Sequence, residues 1–433
     1  MNTLTEHLAQ ALETLPAGEL WVGFSGGLDS SVLLHALAAI PMARARSLTA
    51  LHVCHGLQPE AATWAEHADR FAATLVLPFR RVDVVVSGIA EEGVEAAARR
   101  ARYTAFAQHL PSPGNLALAH HRDDQVETVL LRLLHGAGHE GLAGMRTLRT
   151  LGRNDARLLW RPLLDRPRAE LENYAHEHGL EYIDDPANVH PAFVRNRLRH
   201  DVLPTLRAAF PDADARIIAA ARRLREEADA LDGIAADLLE EHLDAAEHSL
   251  ACAALRSLPS ALARRLIGAW LDRLGLPRPP PGIWARILPE LVDARPGAEP
   301  ILAWHGARLR RHRDRLHADD DAPDPVPDWL LHWDGTTPLA LPGGLGTLAF
   351  TPPLTAPEAF VVRPRRGGEV LLLRGHRRPV KKLLQEAGIA PWQRARLPLL
   401  FDATGALLSV AGRWNSDPFR ATLQATHRQL RLY

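Results

Sequence analysis

The chain has 433 residues, 51 basic and 51 acidic side chains, and two cysteines, Cys54 and Cys252. That length suits two or three domains, and the balanced charge excludes a global field that would draw the protein onto nucleic acid, so any such binding must come from local patches. Two distant cysteines exclude a disulfide framework and a cysteine-built zinc or iron–sulfur site, and read as small buried hydrophobes of a soluble, cytoplasmic protein.

The first fifteen residues form an amphipathic helix that carries acids and lacks the basic region and apolar core of a signal peptide. No uncharged apolar run reaches the length of a membrane span. Strands are expected at 19–25, 47–56, 79–86 and 115–121, and helices at 29–40, 64–75, 95–110 and 123–134. This alternation predicts an α/β fold with a doubly wound parallel sheet. In such sheets ligands sit at the carboxyl ends of strands, where the polar clusters at 25–31 and 120–127 fall. Residues 213–275 carry apolar positions at helical spacing, and the proline-rich stretch 276–282 punctuates them. The acidic, proline-rich run 319–328 reads as a linker. Turn, strand and short-helix signals in the last hundred residues predict a small α+β domain, whose helix 379–388 is closed by Gly388. The expected division is 1–212, 213–318 (mostly helical), a linker at 319–330, and 331–433.

The segment FSGGLDSSVLL, 24–34, runs from a strand through a glycine turn into a helix. Amides of Gly26, Gly27 and the first helical turn can cradle an anion, helped by the helix dipole. Ser25, Ser30 and Ser31 add hydroxyls, and an aspartate-capped turn alone would not require the two serines after Asp29. The lysine of a Walker loop is missing. This domain holds no lysine at all, which excludes a lysyl-adenylate intermediate. Downstream, His120, His121, Asp123, Asp124 and Glu127 gather at a strand end and helix start. Asp124 and Glu127 share a helix face, whereas Asp123 reads as a helix cap. The His pair lacks a third clear ligand for zinc.

The SGGLDSS loop resembles the pyrophosphate-loop ATPases, which split ATP between the α and β phosphates. Further blocks resemble the tRNA(Ile)-lysidine synthetases: HVCHGL at 52–57, ARRARY at 98–103, HHRDDQVET at 120–128, the glycine-rich stretch 133–145, RPLL at 161–164, DPAN at 185–188, RNRLR at 195–199, and the run 377–400. The resemblance covers essentially the whole chain. Cys54 stands where that family usually has Asp or Asn, and Ala187 where it usually has Ser.

The resemblance implies ATP and Mg²⁺ as cofactors, and free L-lysine and the CAU-anticodon isoleucine tRNA as partners. The wobble cytidine C2 oxygen would attack the α-phosphate, and the lysine ε-amine would then expel AMP. It implies that Ser25, Gly26, Gly27, Leu28, Asp29, Ser30, Ser31 and His52 hold ATP, with Asp29 also on Mg²⁺. Asp124 and Glu127 would bind the lysine ammonium and take its proton. Arg99 or Arg102 would meet phosphate or the adenylated intermediate; the competing role is a surface pair on an amphipathic helix. Arg195, Asn196 and Arg199 would meet tRNA, as would Arg377, Arg378, Lys381, Lys382 and Arg394 in the third domain. Between 363 and 396 ten basic residues face only Glu369 and Glu386. Lys381 and Lys382 are the only lysines of the chain, a sign that arginine substitutes poorly there. Trp392 could stack on a base, although a core position suits a tryptophan better. The alternatives are another adenylating tRNA-modifying enzyme on this core, a non-catalytic tRNA-binding protein, or a small-molecule amide synthetase. Sulfur-inserting relatives need paired cysteines that this chain lacks. The oligomeric state stays open.

Overall fold

The strand-forming runs of the first half pair in the expected manner. In the computed structural model, which describes residues 3–152, 155–185, 194–244, 248–295, 297–321 and 328–433, the N-terminal sheet has six strands. They are β1 (Glu19–Gly23), β2 (Thr49–Cys54), β3 (Phe79–Asp83), β4 (Gly114–Ala117), β5 (Leu148–Thr150) and β6 (Leu158–Trp160), ordered β3-β2-β1-β4-β6-β5. All neighbours are parallel except β5, which runs antiparallel at the edge. Trp21 lies opposite Thr49 on one side and Leu116 on the other. The direction of winding reverses between β1 and β4. The crevice beyond their carboxyl ends is therefore where a ligand is expected.

Helices cover both faces, which is why the strands read as nearly continuous apolar runs. Leu20, Val22 and Phe24 join one core with α1 (Leu4–Glu13), α2 (Leu28–Ala38) and α3 (Ala61–Thr74). Leu116, Leu118 and Leu159 join the other, with Phe106 of α4 (Val94–His109). Each large side chain fully buried here contributes roughly 1.5–3 kcal/mol. Helix α1 starts at a capping box: Thr3 Oγ1 accepts from the Glu6 amide at 3.3 Å, and the Glu6 carboxylate accepts from the Thr3 amide at 2.7 Å. Next come α5 (Arg122–Leu134), α6 (Arg168–Glu177), α7 (Val194–Arg197), a π-turn at Leu198–Val202, α8 (Leu203–Ala209) and α9 (Ala213–His242). Ala221, Ala228 and Ala235 of α9 are buried at seven-residue spacing, which lets α10 (Ser260–Arg273) pack closely against it.

The chain divides into two compact units, Met1–Asp293 and Ala294–Tyr433. The second unit begins with antiparallel strands at Ile301–Trp304, Ala307–His312 and Arg315–Asp319. These fall inside the stretch 213–318 that the sequence presents as mostly helical. Their buried positions include Arg310, Arg311 and His312, which break the apolar alternation that Ala307 and Leu309 begin. Arg310 is neutralised by Asp319 at 2.7 Å, and His312 Nδ1 lies 2.6 Å from Glu299 Oε1. A five-stranded antiparallel sheet (Leu331–Trp333, Phe360–Pro364, Pro398–Asp402, Leu407–Val410, Trp414–Asn415) and a three-stranded one complete the expected α+β unit. Residues 322–327 of the predicted linker lie outside the described residues. Among the described residues no helix is long and apolar enough to cross a membrane.

Candidate active site

The loop after β1 is folded by its own side chains. The Ser25 amide donates to Ser30 Oγ at 3.2 Å, and Ser30 Oγ donates to the Gly27 carbonyl at 3.0 Å. The Gly27 amide donates to Ser25 Oγ at 3.3 Å, and buried Ser31 donates to the Gly26 carbonyl at 3.4 Å. Ser30 and Ser31 are thus engaged in shaping the loop. Gly26 is required twice over. Its φ of +85° is left-handed, and a Cβ there would meet Ile183 Cδ1 at 2.8 Å. Gly27 caps α2 without a side-chain bond, so the amides from Leu28 onward lack a side-chain cap and point where an anion would sit.

Beside the loop, β4 delivers α5. His121 caps this helix, and its side chain is 1% exposed. Its Nε2 lies 3.7 Å from Asp29 Oδ2 and 3.5 Å from Asp124 Oδ2. Burial opposes a charge on His121, yet the carboxylates of Asp29, Asp124 and Asp123 raise its pKa. Burial likewise opposes ionisation of Asp124, but His121, His120 and Arg195 lower its pKa. Asp123 is structural, but it does not cap its own helix as expected: it accepts from the Arg168 amide, at the start of α6, at 3.0 Å and from Arg207 at 2.7 Å.

Glu127 corrects one expectation. Its side chain is 0% exposed, and both oxygens are occupied: Arg195 Nε donates to Oε2 at 2.7 Å and Arg199 Nε to Oε1 at 2.6 Å. Arg199 also reaches Glu127 Oε2 at 3.0 Å and Asp124 Oδ1 at 3.4 Å. With both oxygens engaged by guanidiniums, Glu127 presents none to an incoming ammonium ion. Arg195 and Arg199, expected on a tRNA-facing surface, turn toward these acids, and Asn196 is buried. Ala187 and Asn188 lie outside the described residues.

His52 is buried against the loop, with Nδ1 2.9 Å from the Phe24 carbonyl, and burial lowers its pKa. Arg99 donates to the Tyr103 hydroxyl at 3.2 Å and stacks over its ring at 4.9 Å. Arg102 donates to His55 at 3.4 Å; burial and Arg102 lower the His55 pKa to about 4. Arg161, buried at 2% exposure, donates to the Tyr103 hydroxyl at 3.4 Å and to His120 at 3.3 Å. Burial, with Arg149 and Arg99 nearby, lowers its pKa, which marks a wall rich in positive charge. Arg161 was visible only as part of the RPLL block, and nothing in its spacing announced this position. The glycine stretch 136–145 is braced from behind. Arg132 donates to the Gly141 and Gly144 carbonyls at 2.8 and 3.0 Å, and Arg225 of α9 to Ala143 and Gly144 at 2.8 and 2.6 Å. Gln125 closes the link to α5 with two bonds to Met145, at 2.9 and 2.7 Å.

In the second unit the basic run is less free than its composition suggests. Arg363 and Arg365 pair with Glu369, Arg378 with Glu386, and Arg394 donates to the Ile389 carbonyl at 2.6 Å. Trp392 is half-buried, with Arg310 over its ring at 4.5 Å and His312 and His317 edge-on. Arg377, Lys381 and Lys382 are exposed and make no ion pair among the described residues.

Comparison with known proteins converges on one family. Residues 1–206 match the PP-loop domain, 250–317 the TilS substrate binding domain, and 360–432 the TilS substrate C-terminal domain. The tRNA(Ile)-lysidine synthase of Alkalilimnicola ehrlichii is 44% identical over 92% of this chain and 90% of its own. That of Xanthomonas axonopodis pv. citri is 41% identical over 93% and 90%, and that of Pseudomonas aeruginosa 42% identical over 94% and 93%. With a phosphate loop set at the sheet's switch point and similarity along nearly its full length, the chain belongs to the tRNA(Ile)-lysidine synthase family of ATP-dependent, PP-loop ligases.

Proposed function

We propose that the protein joins free L-lysine to C2 of the wobble cytidine in the CAU-anticodon isoleucine tRNA, in the cytoplasm and at the cost of ATP. The observation that carries this reading is the meeting of the phosphate loop with the Asp29–His121–Asp124 cluster between β1 and β4. In the first step the cytidine C2 oxygen attacks the α-phosphorus and pyrophosphate leaves. The α2 amides beyond Gly27 face the departing charge, and the serines hold the loop in the shape that presents them. Asp29 Oδ1 is buried and has no hydrogen-bond partner among the described residues, which fits a ligand of Mg²⁺. When bound there, the ion would offset phosphate charge.

In the second step the ε-amine attacks C2 and AMP leaves. Lysine arrives as an ammonium ion. Asp124, held ionised by its neighbours, draws it in and takes its proton. Glu127 keeps Arg195 and Arg199 at the rim, where they meet the phosphate of the adenylated base or the anticodon backbone. Arg99 and Arg102 extend that positive wall. The finer division at 1–212, 213–318, 319–330 and 331–433 assigns ATP chemistry to the first part. The helical and last parts read the tRNA body, the latter through Arg377, Lys381 and Lys382 in particular. Recognition beyond the anticodon is needed to reject methionine tRNA, which shares it.

The test is incorporation of labelled lysine into the CAU isoleucine tRNA, with methionine tRNA as control. Asp29→Ala should lower incorporation by roughly 10²–10³-fold. Label confined to the isoleucine tRNA and lost in the variant is the expected result. AMP formed in a tRNA-dependent way without label would require another nucleophile and overturn the reading.

A further inference from the structure

Two atoms of opposite charge face each other beside the phosphate loop as a long ion pair with no hydrogen bond, on side chains that are 40% and 35% exposed. Asp29 Oδ1 and Arg168 Nε are each buried, each lacks a hydrogen-bond partner among the described residues, and they stand 3.9 Å apart. A free guanidinium–carboxylate pair would close to about 2.8 Å. Here the elements that carry them hold the pair open. Helix α6 is locked to α2 by a 3.0 Å hydrogen bond between His35 Nδ1 and the Tyr174 hydroxyl, and by Leu171 and Ala175 in the common core. Its first amide, that of Arg168 itself, is pinned by Asp123 at 3.0 Å, and Asp123 is held in turn by Arg207 at 2.7 Å. Arg168 follows the cap Pro167, where the helix dipole disfavours a cation. Among the described residues, the other acid near this Nε is Glu172, one turn along, at 3.5 Å.

We infer that Arg168 is a further catalytic residue, which binds an ATP phosphate oxygen opposite Asp29. The inference rests on the loop being the ATP site. An anionic oxygen would satisfy the idle Nε, and a cation would satisfy the idle carboxylate oxygen. Apart they cost the desolvation of two unpaired polar atoms, which the fold retains until the nucleoside triphosphate arrives. The competing role is a helix-surface pair of Arg168 with Glu172. That role does not require Nε to be buried and unbonded.

The experiment titrates α,β-methylene ATP, which cannot be cleaved between those phosphates, into the full chain by calorimetry. Tm and tRNA-dependent AMP release are measured in parallel. Arg168→Gln should weaken binding about tenfold or more, because a hydrogen bond to a charged group is lost. Glu172→Gln should leave affinity unchanged. An R168Q affinity within about twofold of wild type, or equal losses in R168Q and E172Q, overturns the inference. Should R168Q fail to fold, Arg168→Lys decides: a point charge in place of the planar fork should weaken binding measurably, and unchanged affinity sinks the idea. A wild type that neither binds the analogue nor releases AMP would instead defeat the ATP-site reading. Wild-type turnover with an unimpaired R168Q defeats only the role of Arg168.

Discussion

Each unit of the molecule buries a glutamate between two arginines, and the two constructions differ in reach. Glu369, with its side chain 4% exposed, accepts from Arg363 at 3.1 Å and from the Arg366 and Gly367 amides at 2.6 and 3.0 Å, with Arg365 at 3.6 Å. All of these partners lie within six residues. Glu127 takes its arginines from 68 and 72 residues away. The first is a staple that the RPRRGGE stretch can form by itself. The second is a clamp that exists only when α5 has met α7 and the π-turn that follows it. Chemically they are the same unit, but the local one shapes a loop, and the long-range one sets two guanidiniums at 26% exposure beside the acids of the candidate active site.

The sharpest way to break this contrast is Glu127→Ala. It leaves Arg195 and Arg199 facing each other across a cavity, and should cost about 3–5 kcal/mol in urea unfolding, with lysine incorporation abolished. Glu369→Gln should cost less, about 1–3 kcal/mol, and leave ATP affinity untouched. Similar losses of ATP affinity in the two variants would erase the distinction between staple and clamp. The pH dependence sharpens it. Burial opposes the charge on Glu369, but the Arg366 amide and Arg363 outweigh it and lower the pKa from the ordinary 4.5. Its contribution to stability is therefore fully present above about that value and lost as pH falls through the lower, folded pKa. E369Q should flatten this acid limb in an unfolding series from about pH 6 to 3. The smallest effect concerns the cations left free. Replacing Lys381 and Lys382 with Ala should reduce the salt slope of tRNA binding by about 0.7–0.9 for each phosphate that is no longer neutralised, with ATP binding intact. Equal losses of both affinities would remove these lysines from the tRNA surface.

Much of the site was legible because its parts are local. A strand, two glycines and the serines after Asp29 announce an anion-binding turn wherever they occur, and the side-chain hydrogen bonds of the loop serines span at most five residues. His121, Asp124 and Glu127 share one helix start and were found for the same reason. Their roles were not legible. Asp124 and Glu127 look equivalent at i and i+3, yet Arg195 and Arg199 occupy both oxygens of Glu127, a fact that only the packing of α7 and the following π-turn against α5 decides. Arg168 carried no signal at all, since one arginine among so many is anonymous until a fold buries its Nε. The strands at 301–319 hid for a related reason: inward arginines neutralised by acids interrupt the apolar alternation that starts at Ala307 and Leu309.

Sequence by itself therefore determined the α/β order, the phosphate loop and the family, because periodicity, glycine conformations and short motifs act within one or two turns of chain. Tertiary structure alone decided which carboxylate the two arginines clamp, which arginines face inward and which basic residues of 363–396 remain unpaired. Those outcomes depend on burial and on partners brought together from distant positions, and desolvation makes each such pairing worth far more inside the fold than in the extended chain.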